Sequence, residues 1–117
     1  MTTIPNPFSI FVLLKTRPGW LSLSRPQRNA IAQAAFSSAL DQTDVRVRLF
    51  DAEAFCGFCT DIALFETEDM KAFYGVMERL RDSPFFAVPY FDVVQILPSI
   101  ENGFKAFEAS AYSLTKT

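Results

Sequence analysis

FSIFVLLKT, residues 8–16, decides the fold. Phe8, Ile10, Val12 and Leu14 fall on one side of an extended chain; Phe11 and Leu13 fall on the other. Apolar residues on both sides mark a strand covered on two faces, and so a central one. Arg17, Pro18 and Gly19 end it. Before it, residues 1–7 carry Pro5 and Pro7 and suit an extended lead-in. A second stretch has the same character. In VPYFDVVQIL, residues 88–97, Phe91 and Val93 alternate with Val94 and Ile96, and Pro98 is expected to end the strand.

Between them lie two helices and two strands. Ser24 can cap a helix through its hydroxyl, with Gln27 three residues on and Pro26 tolerated in the first turn. This helix runs to about Leu40, with Ile31, Ala35 and Ala39 as its stripe and Ala32, Phe36 and Leu40 beside it. Residues 44–52 (DVRVRLFDA) alternate: Val45, Val47 and Leu49 on one side, Arg46, Arg48 and Phe50 on the other. That pattern fits a half-covered edge strand protected by charge. A turn around Gly57 leads into a strand over residues 60–66. Thr67-Glu68-Asp69 opens a second helix, buried through Met70, Phe73, Met77 and Leu80 and stopped at Asp82-Ser83-Pro84. Phe104, Phe107, Ala111 and Leu114 predict a short C-terminal amphipathic helix.

The order β-α-β-β-α-β over residues 8–97 is the ferredoxin-like arrangement: a four-stranded antiparallel sheet with both helices on one face. The whole chain, 1–117, reads as one α+β domain with 98–117 as a C-terminal segment. One helical layer covers one face only, yet two strands are apolar on both. Either the C-terminal helix or a second subunit must cover the rest. A second subunit is the favoured reading, two sheets packed face to face as a dimeric α+β barrel.

Composition excludes several functions. The chain has 117 residues, half of them hydrophobic, with 13 Phe and a net charge of −2. It can bury a core, so it is not disordered. No basic excess exists for nucleic acid. There is no His, which removes the Ser–His and Cys–His pairs and the commonest metal ligand. No cofactor or metal motif is present. The apolar run Phe8–Leu14 is too short to cross a membrane and lacks the flanks of a signal peptide. A cytoplasmic protein is expected.

The candidate site residues are few. Arg46 and Arg48 share one side of a strand, where two guanidinium forks can hold a carboxylate or enolate. Edge protection is the plainer reading. Tyr90 and Asp92 share a side of the last strand; Asp92 is the candidate base, or pairs with Arg46 or Arg48. Cys56 and Cys59 form a C-x-x-C pair, the pattern of a redox dithiol, but in a hairpin turn rather than at a helix entry. Their plainer reading is two turn cysteines packed in or near the core. Asp51, Glu53 and Asp61 read as turn and solvent carboxylates. Trp20 reads as a cap on the core.

FSIFVLLKT, LSLSRPQRNA, VRVRLFDAEAF, ALFETEDM and above all RDSPFFAVPYFDVVQILPSIENGF resemble the darcynin family of small bacterial proteins, from Phe8 to about Phe107. The resemblance implies no catalytic residue. The family pattern carries one cysteine near Cys59, so the C-x-x-C pair is not implied by it. By fold analogy the layout is similar to cofactor-free monooxygenases, polyketide-tailoring enzymes and small stress proteins, though fold does not fix function. Three functions follow as expectations. The first is a homodimer that binds a small apolar, aromatic or carboxylate-bearing ligand, oriented by Arg46, Arg48, Tyr90 and Asp92. The second is a cofactor-free monooxygenase or isomerase using Asp92. The third is a non-enzymatic interaction module, whose open face a partner fills wholly. A thiol redox protein using Cys56 and Cys59 is the further alternative.

Overall fold

The computed structural model describes residues 6–115, the last five as backbone only. Four strands form one antiparallel sheet: β1 (Phe8–Thr16), β2 (Arg46–Asp51), β3 (Asp61–Thr67) and β4 (Phe91–Ile100), in the order β2-β3-β1-β4. The helices are α1 (Pro18–Leu21), α2 (Arg25–Leu40), α3 (Met70–Arg81), α4 (Pro84–Ala87) and α5 (Gly103–Thr115). This is the ferredoxin-like topology, with β1 central and β2 at an edge as the sequence pattern requires.

The core lies between the sheet and α2 and α3. Ile10, Val12 and Leu14 of β1 and Ala63 and Phe65 of β3 meet Ala35 and Ala39 of α2 and Phe73, Val76 and Leu80 of α3. Two polar ties fix the helices. Ser24 accepts from Gln27 N–H while the Gln27 side chain accepts from Ser24 N–H, so the expected reciprocal cap forms. Arg79 Nε donates to the Ala39 carbonyl at 2.8 Å, satisfying a carbonyl at the C-terminal end of α2. Trp20 caps one end of the core. Its ring meets Phe85, Tyr90 and Phe91 at 4.9–5.6 Å, and Arg28 holds its carbonyl.

Several boundaries differ from the sequence reading, each for a physical reason. The second helix begins at Met70 rather than 67: β3 runs on to Thr67, and Asp69 is the cap, accepting from Lys71 N–H. Pro84 ends α3 but also starts α4, because Ser83 caps it and proline suits a first helical position. Val88 is the C-cap of α4 and Tyr90 N–H donates back to the Phe85 carbonyl at 2.9 Å, so β4 starts at Phe91, not at 88. Pro98 does not end β4. The strand is at the sheet edge, where a residue without an N–H can turn its nitrogen outward, and pairing with β1 continues to Ile100. A register shift between Leu13 and Leu14 places an extra β4 residue there. It breaks the simple alternation, so that Val93 and Ile96, opposite Leu14 and Val12, both lie on the helix side.

α5 does not cover the open face. Phe104 and Phe107 are 61% and 72% exposed, and Phe11 and Leu97, paired on that face, remain 37% and 43% exposed. The chain is accordingly long, 62 × 33 × 24 Å, with a radius of gyration of 17.0 Å, against about 13 Å for a compact domain of 100 residues. Ala111 and Leu114 of the expected stripe lie outside the described side chains.

Phe65 is 1% exposed and meets Phe73 edge-on at 5.4 Å. Phe65→Ala is expected to lower unfolding free energy by about 3–5 kcal/mol, read by urea denaturation.

Candidate functional site

The open face is built in rows across the four strands. One row is Arg46, Glu66, Ser9 and Ser99; the next is Arg48, Leu64, Phe11 and Leu97; the third is Phe50, Ile62, Leu13 and Gln95. Two rows of three apolar residues each, closed by Arg48 at one end and Gln95 at the other, therefore sit beside a polar one. Arg48 Nη2 lies 3.2 Å from Glu66 Oε1, and its guanidinium carbon lies 5.9 Å from the Phe50 ring centre. Arg46 and Arg48 do face away from the helices, as the alternation predicts.

The other two predicted residues are elsewhere. β2 and β4 are opposite edges with two strands between them, a separation of about 14 Å. Asp92 therefore does not pair with Arg46 or Arg48. Its two carboxylate oxygens accept from Arg17 Nη1, each at 3.1 Å. Arg17 sits just after β1, whose end pairs with the start of β4, and that juxtaposition was not visible in the spacing. Tyr90 packs against Trp20, 5.4 Å between rings, and over Gly19. The structure thus brings Arg46 and Arg48 to one face and leaves Tyr90 and Asp92 apart from them.

A concave site lies on the helix side instead, between α3 and β4. It is a groove of about 670 Å³ walled by Met70, Phe73, Met77, Phe86, Val93 and Ile96. Glu78, Arg81 and Asp92 border it. Sequence periodicity assigned Met70, Phe73 and Met77 to core; they are, but their outer edges also form this wall. Ile96 joins it because of the register shift, a feature without a sequence signal here. An apolar trough with a few charged groups at its rim has the character of a small-molecule site.

The β2–β3 turn holds the two cysteines. Cys59 is buried and Cys56 partly exposed, both as free thiols, and Cys59 Sγ–H donates to Cys56 Sγ at 3.5 Å. N–H groups of Phe58 and Cys59 stabilise the Cys56 thiolate and lower its pKa, with Lys15 adding to this. Burial raises that of Cys59. Asp61 is not a plain solvent carboxylate. Burial raises its pKa first, and Asp51 and Glu53 push the same way against the Thr60 hydroxyl, which donates at 2.7 Å. Among the described residues no cluster of His, Cys, Asp and Glu is arranged to hold a metal ion.

Comparison with known proteins agrees with the resemblance carried by the RDSPFFAVPYF block. The family model described as "Darcynin, domain of unknown function" matches residues 1–116. The chain belongs to the Darcynin family. Relatives named Darcynin include one from Chromobacterium violaceum, 52% identical over 56% of this chain and 84% of its own length. Another, Darcynin 1 of Acinetobacter baumannii, is 37% identical over 76% of this chain and all of its own. Among solved structures, a mutant chlorite dismutase from Candidatus Nitrospira defluvii superposes with a TM-score of 0.72 at 22% identity, over 85% of this chain and 42% of that one. The chain spans less than half the length of that neighbour. At this identity the likeness is one of fold and carries no activity across. Among the described residues, no helix is long and apolar enough to cross a membrane.

Two expectations test the electrostatics. The Arg17–Asp92 pair is about half exposed, so Asp92→Asn is expected to change unfolding free energy by no more than about 1 kcal/mol in urea denaturation. Folded Asp61 holds its proton more tightly than the unfolded chain does, so its contribution to stability falls as pH rises out of the ordinary carboxylate range. Asp61→Asn keeps an acceptor for Thr60 and removes the titration. Thermal melts are expected to show a flatter stability profile above about pH 4 and no loss at neutral pH.

Proposed function

We propose that this darcynin is a homodimer that binds a small, elongated apolar molecule in the groove between α3 and β4. The groove itself carries the reading. Six apolar or aromatic side chains form a trough between a helix and an edge strand, and charge is confined to its rim. Such a site favours a ligand with an aromatic or aliphatic body and one polar or carboxylate end, for which Arg81, 3.8 Å from Glu78, is the cation at the border. This moves the ligand from the arginine face of the sheet to the helix side, and Asp92 at the groove's border serves orientation rather than proton transfer, since Arg17 engages both its oxygens.

The dimer rests on the other face. Phe11, Leu13, Phe50, Ile62 and Leu97 make an apolar belt around the buried Leu64, and neither α2, α3 nor α5 covers it fully. A second copy packed sheet to sheet buries it on both chains, and the Arg48–Glu66 pair lies at its margin.

Adjacent residues separate the two parts. Ile96 faces the groove, and Leu97 faces the open belt. Native mass spectrometry of the purified chain is expected to show a dimer, with retained small-molecule mass where the groove is filled. An anionic naphthalene dye is expected to bind at least about tenfold less tightly to Ile96→Trp than to the parent, a change of about 1.4 kcal/mol, with unchanged circular dichroism. Leu97→Glu is expected to give folded monomers that still bind the dye. A parent that binds no dye, or an Ile96→Trp chain that binds it equally well, defeats the groove assignment; a monomeric parent defeats the dimer.

A further inference from the structure

The β2–β3 turn carries chemistry that the groove does not use. The turn is tightly built: Ala52 N–H donates to the Thr60 carbonyl, and Phe55 and Cys56 N–H both donate to the Ala52 carbonyl at 3.0 and 2.9 Å. Thr60 locks its far end to the sheet, its N–H donating to the Leu14 carbonyl and its hydroxyl oxygen accepting from Thr16 N–H. This frame sets two thiols side by side and gives them unequal surroundings. Cys59 is 3% exposed and points its S–H at Cys56, which solvent reaches. The sulfurs stand 3.5 Å apart, about 1.5 Å beyond bonding distance. The charge of Lys15 acts on Cys56 and that of Asp61 on Cys59. The cation favours thiolate at the accessible sulfur, and the carboxylate disfavours it at the buried one.

We infer that Cys56 and Cys59 are a dithiol–disulfide couple that exchanges with small-molecule disulfides, Cys56 attacking and Cys59 resolving. The Cys56 thiolate attacks one sulfur of R–S–S–R. That bond breaks, one RS⁻ leaves and takes up a proton, and Cys56 is left in a mixed disulfide. Cys59 then loses its proton to solvent and attacks Cys56 Sγ, and the second RS⁻ leaves and is protonated. Two protein thiols are oxidised by two electrons, and the disulfide is reduced to two RSH. The turn differs from a helix-entry C-x-x-C: here the N–H groups of Phe58 and Cys59, rather than a helix terminus, stabilise the attacking sulfur. The inference is independent of the groove and of the dimer.

The test uses the full chain, glutathione disulfide as oxidant, an acid quench, a thiol-alkylating reagent and intact mass. The parent is expected to end with both thiols blocked and no glutathione attached, the mass loss being two hydrogens. Cys59→Ser, and independently Cys59→Ala, are expected to accumulate a glutathione adduct on Cys56. Cys56→Ser is expected to react at least about tenfold more slowly, since its remaining thiol is buried. A parent that stays fully alkylatable, stops at a glutathione adduct or forms only disulfide-linked dimers overturns the inference. So does a Cys56→Ser chain that reacts as fast as the parent.

Discussion

A four-stranded sheet that is apolar on both faces, with one layer of helices, is the constraint on which this structure turns. Packing Ile10, Val12, Ala63 and Phe65 against α2 and α3 removes one face from water and forms the core. The same strands carry Phe11, Leu13, Ile62 and Leu64 on the other side, because side chains alternate along a strand. The layer formed by α2 and α3 covers one of these faces, and on the other Phe11 and Leu97 stay partly exposed. That belt is the observation on which the proposed sheet-to-sheet dimer rests.

The position of β4 has a similar double consequence. As an edge strand next to β1 it extends the sheet beyond the reach of α3, so its helix-side residues Val93 and Ile96 are only half covered. The space left beside α3 is the groove. Its apolar walls follow from the core itself: Phe73 and Met77 face inward toward Phe65 and Leu80 and outward toward β4. Core packing and the groove thus share side chains, so large substitutions at Phe73 act on stability and on the shape of the groove together.

Polar groups are used sparingly and locally. The Ser24–Gln27 cap, the Arg79–Ala39 tie and the Thr67–Asp69 contacts each satisfy backbone groups at the ends of elements. Among the described residues no buried side-chain polar atom lacks a partner. Titratable groups crowd together in the β2–β3 turn, with Asp51, Glu53, Cys56, Cys59 and Asp61. This turn is also the place where local sequence looked least like a known site, since a hairpin turn is not where a C-x-x-C pair usually works.

Local pattern was enough for the element order, the central place of β1, the Ser24 cap and the outward-facing arginines. Those depend on periods of two and 3.6 and on capping chemistry, all of which act over a few residues. It was not enough where the outcome depends on which strand lies beside which. Pro98 reads as a strand end, and continues a strand because β4 is at an edge. Asp92 reads as a partner for Arg46 or Arg48, and meets Arg17 because two strands separate the edges. Ile96 reads as a residue of the face opposite Val93, and shares its face because of one shifted register. The sequence by itself determined the order of the main strands and helices and the chemistry available at each position. Only the tertiary structure decided which side chains meet, because pairing order and register are set by long-range packing rather than by neighbours along the chain.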